Sequence, residues 1–183
     1  MKKILISKHV ILNILNFLLF QFVWFSSVFS IVYGMSFLGI ILVLFVAVFY
    51  IFISNYPGRL LFFYCLSAIF GFLVDTLLLN FGVISLTPTF FMNTIFQISP
   101  LIMVMFWVNF VATFDYSLSW ILKHKWLGSI LGALGAPLSY FSAYKLGAIT
   151  LGPTVMYGLL VIAATWLFVM PILQTIFQRV VRK

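Results

Sequence analysis

Residues 60–82 read LLFFYCLSAIFGFLVDTLLLNFG, an apolar stretch with a single carboxylate at Asp75. A helix of about 20 mainly apolar residues crosses the hydrocarbon core of a bilayer, because the core is about 30 Å thick and each residue rises about 1.5 Å. The stretch therefore predicts a transmembrane helix. Similar stretches recur along the chain, and we predict six spans, near residues 10–29, 34–54, 60–82, 98–120, 126–146 and 153–176.

The composition of the whole chain agrees with this interpretation. Of its 183 residues, 65% are hydrophobic and 7% are charged. A soluble domain carries about a quarter charged residues, so the composition excludes a soluble globular protein. The predicted fold class is an all-α, polytopic membrane helix bundle, in which residues 1–183 form a single integral membrane domain.

The basic residues predict how the chain is oriented in the membrane. All but one of the ten Lys and Arg residues flank the spans on one side, and Lys145 alone lies on the other. The first group comprises Lys2, Lys3, Lys8, Arg59, Lys123, Lys125, Arg179, Arg182 and Lys183. Loops rich in Lys and Arg stay in the cytoplasm, so we expect a multi-pass membrane protein with both termini cytoplasmic. Nucleic-acid-binding proteins gather their basic residues on one solvated face, so we expect no nucleic-acid partner.

The first apolar stretch has a second interpretation. A basic N-terminus followed by apolar residues also resembles a signal peptide, with cleavage after Ser30. The stretch is longer than a signal core of about 7–15 residues. It also contains the amides of Asn13, Asn16 and Gln21, which are costly against lipid and typical of helix–helix contacts. We therefore favour a retained first span.

Ionisable groups inside spans are candidates for a functional site, because lipid does not solvate them. Asp75 lies about 22 Å from the cytoplasmic start of its helix at the usual helical rise. The same arithmetic brings Gln21, Tyr140 and Tyr157 near this level and puts Lys145 about one turn higher. We predict a polar layer in the outer half of the membrane, with Lys145 as the counter-ion of Asp75. The candidate catalytic residues are Asp75, Tyr140 and Lys145, and the alternative role of Asp75 is to hold the third helix against the fifth.

The fifth predicted span contains small residues at four-residue spacing. Gly128, Gly132 and Ala136 form one smooth face, which predicts close packing against another helix. Pro137 removes a backbone donor, so a kink is expected just below Tyr140.

Metal and cofactor sites are not expected. The two histidines, His9 and His124, flank spans without the spacing of metal ligands, and the chain has no phosphate-binding loop or dinucleotide fingerprint. Asp115 lies near the basic cluster at the cytoplasmic end of the fourth span, about 15–20 Å along the bundle axis from Asp75. Two carboxylates so far apart do not share a proton, so an aspartyl dyad is not expected.

Several segments together resemble a known family. They are NFLLFQFVWF at residues 16–25, VDTLLLNFG at 74–82, PLIMVMFW at 100–107, SLSW at 117–120, GALGAPLSY at 132–140 and KLGA at 145–148. Their order and spacing are similar, over nearly the whole chain, to the bacterial membrane family catalogued as domain of unknown function 2878. The chain departs from the family pattern at Ile102, where Trp is usual, at Asp115 and Tyr116, where Asn-His is usual, and at Lys145, where Arg is usual.

The resemblance implies a place in the bacterial inner (cytoplasmic) membrane, a retained first span and a set of candidate binding residues. The family pattern includes Asn16, Gln21, Trp24, Asp75, Trp107, Pro137, Tyr140 and Lys145. Together with Tyr157, which the depth argument adds, seven of these residues are our predicted binding residues. The predicted set is Asn16, Gln21, Trp24, Asp75, Trp107, Tyr140, Lys145 and Tyr157. The family has no established activity, and its relatives look to be encoded near fatty-acid-modifying enzymes, which implies a link to lipid metabolism.

Three functions follow from these observations. The first is a non-catalytic partner or scaffold in membrane-lipid metabolism, whose partners would be membrane lipids and lipid-modifying membrane enzymes. The second is an intramembrane lipid-modifying enzyme that uses Asp75. The third is a small transporter of a lipid or another small molecule, which would require alternating access.

Overall fold

The computed structural model describes residues 8–86 and 97–182. Lys2, Lys3 and Lys183, which contribute to the predicted orientation, lie outside these ranges, as does the predicted loop at Thr87, Pro88 and Thr89. The described chain is helical, as predicted, with one short ribbon of two strands. Its elements are α1 (Lys8–Val32), α2 (Ser36–Ile53), α3 (Pro57–Asn80), β1 (Ile84–Leu86), α4 (Leu101–Val111), a 3-10 turn (Ile121–Lys123), α5 (Lys125–Lys145), β2 (Ile149–Leu151) and α6 (Val155–Val180).

Four helices in the described ranges are long and apolar enough to cross a membrane, namely α1, α2, α3 and α6. Their outer faces carry large exposed apolar side chains, such as Phe45 at 72%, Phe52 at 82% and Phe168 at 70%. A surface of this kind is stable only against an apolar phase, which agrees with a membrane protein. Helix α5 has 21 residues but is rich in small and polar side chains, and α4 has only 11 residues.

The predicted helix over residues 98–120 is wrong in extent, because α4 ends at Val111. Beyond it, the Thr113 and Phe114 amides donate to carbonyls three residues back, and the Thr113 hydroxyl also donates to the Phe110 carbonyl. The side chain of Asn16 on α1 then accepts hydrogen bonds from the Ser117 amide and hydroxyl. Side-chain groups of this kind compete with the helical ladder, so residues 112–120 form turns instead.

The start of the α4 segment is tied to the C-terminal end of α3. The Asn80 side chain donates to the Gln97 carbonyl at 2.6 Å and accepts from the Gln97 amide at 3.0 Å. The Ser99 amide donates to the Thr76 hydroxyl at 3.1 Å. The chain therefore enters α4 at the level where α3 ends.

The other end of this segment is tied to the C-terminal part of α6. The Gln174 side chain donates to the Ile121 carbonyl at 3.1 Å, and the Gln178 side chain donates to the Leu122 carbonyl. Residues 97–123 thus run from the C-terminal end of α3 to the C-terminal end of α6. Their path covers the length of the bundle although their helix is short.

The two strands form an antiparallel ribbon that the sequence did not predict. Ile84 pairs with Leu151, Ser85 with Thr150, and Leu86 with Ile149. Each strand has only three residues, which is too few to show an alternating pattern in the sequence. The ribbon holds the C-terminal end of α3 next to the connection between α5 and α6.

Helices α5 and α6 pack closely along the small-residue face of α5. Gly128, Gly132 and Ala136 are buried, which confirms the predicted contact face. A Cβ atom at Gly132 would overlap the Met170 side chain, and one at Gly128 would overlap Gln174. Helix α5 continues through Pro137 to Lys145.

Candidate functional site

Asp75 is the centre of a hydrogen-bond network that joins three helices. Its carboxylate on α3 is 1% exposed. Oδ2 accepts from the indole nitrogen of Trp107 on α4 at 2.7 Å, and Oδ1 accepts from the hydroxyl of Tyr140 on α5 at 3.0 Å. The predicted proximity of Asp75 and Tyr140 is confirmed.

Trp107 reaches Asp75 because a glycine leaves room for its ring. Gly71 precedes Asp75 by one helical turn, and a Cβ atom there would overlap the indole carbons. The Trp166 ring stacks on Trp107 with centroids 5.2 Å apart and planes 17° apart, and Phe70 meets the ring edge-on at 5.9 Å. These contacts fix the direction of the indole N–H toward the carboxylate.

The predicted ion pair between Asp75 and Lys145 is wrong. Lys145 is exposed, and its ammonium lies over the rings of Phe141 and Tyr144, 5.4 and 5.9 Å from their centroids. Helical rise gives the depth of a residue but not the face of the helix on which it lies. Lys145 lies five residues beyond Tyr140, so it points away from the face on which Tyr140 meets Asp75.

A partly open cavity of about 290 Å³ lies beside this network. Its walls come mainly from α1, α4, α5 and α6, while α3 contributes Asp75 and the ribbon contributes Leu86 and Ile149. Most of the lining is apolar, and Asp75, Ser139 and Tyr140 are among its few polar side chains. The wall has seven aromatic side chains, Phe20, Trp24, Phe106, Trp107, Phe110, Tyr140 and Trp166. A mostly apolar cavity with a few grouped polar atoms is the usual form of a small-molecule site.

The exposure of its lining residues indicates that the cavity opens on the outer face of α5. Gly135 and Ser139 line the cavity and are also exposed, and Phe20 and Trp24 of α1 line it while half-buried. The neighbouring Leu138 is 67% exposed, as expected for a side chain facing lipid. The opening between α1 and α5 therefore faces the apolar surroundings of the bundle.

The other predicted binding residues lie in different places. Trp24 lines the cavity, as noted above. Asn16 is buried elsewhere, where it donates to the Ala112 carbonyl at 3.2 Å and accepts from Ser117. Gln21 is half-buried and takes no part in the hydrogen bonds of Asp75. Tyr157 lies at the start of α6, is 48% exposed and does not line the cavity. Of the residues predicted to form the polar layer, only Tyr140 contacts Asp75 by a hydrogen bond, and Trp107 is the other hydrogen-bond partner of Asp75.

Trp166 is a site residue that sequence reasoning missed. It is 8% exposed, lines the cavity and stacks on Trp107, and its indole nitrogen has no hydrogen-bond partner among the described residues. In the sequence it is one aromatic residue within an apolar span. Only its position on the α6 face that meets the small residues of α5 could have indicated its role.

Asp115 belongs to a separate cluster at the other end of the bundle. Among the side chains that the structure describes, Asp115 and Arg182 form the one pair of opposite charges, with 4.0 Å between the carboxylate and the guanidinium. Within residues 8–86 and 97–182, no group of three His, Cys, Asp or Glu side chains could hold a metal ion.

Comparison with known proteins gives one match. The family model described as protein of unknown function (DUF2878) matches residues 13–172, which is most of the chain. No curated protein and no solved structure matches significantly.

Proposed function

We propose that this chain, which belongs to the DUF2878 family of proteins of unknown function, binds a lipid-like molecule in the cavity beside Asp75. In this role it is a non-catalytic partner of enzymes in membrane-lipid metabolism. The proposal places it in the bacterial inner membrane with six crossings and both termini in the cytoplasm.

The six-crossing topology is supported by how the ends of the elements are tied together. Four helices have the length and composition of spans. Residues 97–123 run between the two ends of the bundle, held at one end by Asn80 and at the other by Gln174. Helix α5 returns over 21 residues to the ribbon, so both segments cover the same thickness as the long helices. The basic residues Lys123, Lys125 and Arg179 are then at one end of the bundle, which favours a cytoplasmic position for that end.

The cavity is the observation that carries the proposed binding function. Its apolar wall suits a hydrocarbon chain, and its opening beside exposed Gly135 and Ser139 would admit a molecule from the bilayer without passage through water. Both oxygens of Asp75 already accept hydrogen bonds from Trp107 and Tyr140. This arrangement suits a fixed polar end of a binding site.

Lipid retention tests this function. The protein is purified in a mild detergent, and the lipids that remain bound are measured by mass spectrometry. Gly135→Leu fills the opening, so we expect it to lose a lipid species that the unchanged protein retains. The matched control is Leu138→Phe, which enlarges an exposed side chain on the same helix but outside the cavity. Equal lipid content in all three proteins would contradict the proposal.

An intramembrane lipid-modifying enzyme is the second candidate. The observation that favours it is the 3.0 Å hydrogen bond between the Tyr140 hydroxyl and Asp75 at the cavity wall, because such a pair can transfer a proton to a bound substrate. The lipid composition of a strain that lacks the gene separates the two candidates. If the enzyme hypothesis is correct, Asp75→Asn fails to restore a product that the unchanged gene restores, whereas equal restoration by both removes Asp75 from any catalytic role.

A further inference from the structure

We infer that the ligand of the cavity carries a positively charged amine, so that Asp75 binds the head group of a lipophilic ammonium ion. This inference rests on the proposed binding function and specifies the chemistry of its ligand. It follows from the charge of Asp75, its surroundings and the walls of the cavity.

Asp75 has no positively charged neighbour among the described side chains. The one salt bridge they form is between Asp115 and Arg182, and the Lys145 ammonium lies over two aromatic rings instead. The basic residues outside the described side chains are Lys2, Lys3, Lys8 and Lys183, all at the ends of the sequence, and residues 87–96 contain no Lys, Arg or His. A buried carboxylate is costly unless a cation pairs with it.

The groups that contact Asp75 stabilise its charge without neutralising it. The Trp107 indole and the Tyr140 hydroxyl are neutral donors, and each donates to a different carboxylate oxygen. An ionised carboxylate has about four acceptor positions, so two remain after these hydrogen bonds. Because Asp75 also lines the cavity, we expect these positions to receive a donor from a ligand inside it. An ammonium group supplies both the missing charge and up to three donors.

The rest of the cavity suits an organic cation with a hydrocarbon chain. Aromatic rings attract ammonium ions through the negative potential of their faces, and seven aromatic residues, Trp24 among them, line the wall. The remaining wall is mainly aliphatic and can contact an alkyl chain. Since the cavity opens toward the apolar surroundings, the expected ligand is an amphiphile that resides in the membrane.

The first test compares head groups on the unchanged protein. The full-length protein, at a fixed concentration of a non-ionic maltoside detergent, is titrated with decylammonium, decanol or decanoate, and binding is followed by tryptophan fluorescence. We expect decylammonium to bind about tenfold or more tightly than the other two, as one charge-assisted hydrogen bond with a buried carboxylate implies. The formal net charge of the chain is +8, so non-specific attraction favours decanoate and cannot produce this preference.

The second test assigns the preference to Asp75. In Asp75→Asn, the affinity for decylammonium should fall about tenfold, to that of decanol, while decanol binding is retained. Asp115→Asn makes the same change at the only other carboxylate side chain and should keep the preference. Equal affinities for decylammonium and decanol in the unchanged protein, or a preference that persists in Asp75→Asn, would overturn the inference and leave the proposed binding function standing. If none of the three decyl compounds binds, both the inference and the proposed binding function are contradicted. The comparison on the unchanged protein stays decisive even if Asp75→Asn does not fold.

Discussion

Trp107 occupies the space that a side chain at Gly71 would need. A Cβ atom at Gly71 would overlap the indole ring, and the same ring donates its N–H to Asp75 one turn further along α3. The position of the candidate site therefore depends on a residue without a side chain. This relationship can be tested without knowledge of a ligand.

Gly71→Ala should destabilise the protein, because the added methyl group must displace Trp107 and lengthen its hydrogen bond to Asp75. Overpacking of this kind costs about 1–3 kcal/mol in the free energy of unfolding. The measurement is thermal or denaturant unfolding in detergent, with tryptophan fluorescence as a second readout of the indole environment.

The matched control for this change is Gly135→Ala. A Cβ atom at Gly135 would have no heavy atom within 4 Å. Because alanine is a better helix former than glycine, this variant should be unchanged or more stable by about 0.5–1 kcal/mol. A Gly71→Ala protein as stable as Gly135→Ala would show that the contact with Trp107 is not tight.

The stability of a variant at Asp75 should depend on whether the new side chain can form hydrogen bonds with Trp107 and Tyr140. Asp75→Asn keeps one oxygen for the Trp107 indole and can donate to the Tyr140 oxygen, so we expect near-normal stability. Asp75→Leu leaves both partners unpaired, at about 1–3 kcal/mol for each buried group. The double variant Asp75→Leu with Trp107→Phe should recover part of this loss in an unfolding assay. Equal stability of the Asn and Leu variants would mean that the network does not hold the three helices together.

Helical arithmetic predicted part of the site from the sequence and failed where direction around the helix mattered. Depth along the axis was sufficient to bring Asp75 and Tyr140 together, because each lies on the buried face of its helix. Lys145 has a suitable depth but the wrong face. The role of Trp107 depends on the missing side chain at Gly71, and the sequence does not show that these two residues meet.

The fold, like the site, was predicted from the sequence where it depends on local properties and not where it depends on long-range contacts. Long apolar stretches predicted α1, α2, α3 and α6, because the length and composition of a span are local properties of the sequence. The early end of α4 depends on Asn16, which is 101 residues from the Ser117 group it binds. Contacts so distant in sequence leave no local pattern, and the same applies to the pairing of β1 with β2.

Asn16 provides a test of this long-range contact. Its side chain makes hydrogen bonds with the Ala112 carbonyl and with the amide and hydroxyl of Ser117. Asn16→Leu should lower the free energy of unfolding by about 1–3 kcal/mol for each buried group left unpaired. Asn13, one turn earlier, makes no hydrogen bond with another described side chain, so Asn13→Leu is the matched control and should be neutral. A similar loss in both variants would indicate a general sensitivity of α1 rather than a role of Asn16.

Lys145→Gln should have little effect on stability. Its ammonium lies over Phe141 and Tyr144 at an exposed position, and such cation–π contacts contribute about 0.5–1 kcal/mol. If Lys145 instead neutralised a buried Asp75, its removal would cost about 3–5 kcal/mol, as for any broken buried ion pair. Measuring the free energy of unfolding of Lys145→Gln and of Asp75→Asn in the same assay distinguishes these two cases. A large loss of stability in Lys145→Gln would contradict the exposed position of the Lys145 ammonium.

The proposed orientation can be tested by labelling cysteines introduced at the two ends of α5. Thr150 in β2 and His124 before α5 are both exposed, and α5 with its 21 residues separates them. In a chain whose single native cysteine, Cys65, is replaced by Ser, we expect a membrane-impermeant maleimide to label Thr150→Cys in intact spheroplasts. His124→Cys should react only after the membrane is permeabilised, because the neighbouring Lys123 and Lys125 favour the cytoplasmic side. The reverse pattern would contradict the orientation, whereas labelling of both sites in intact spheroplasts would mean that α5 does not cross the membrane and that the chain has fewer than six spans.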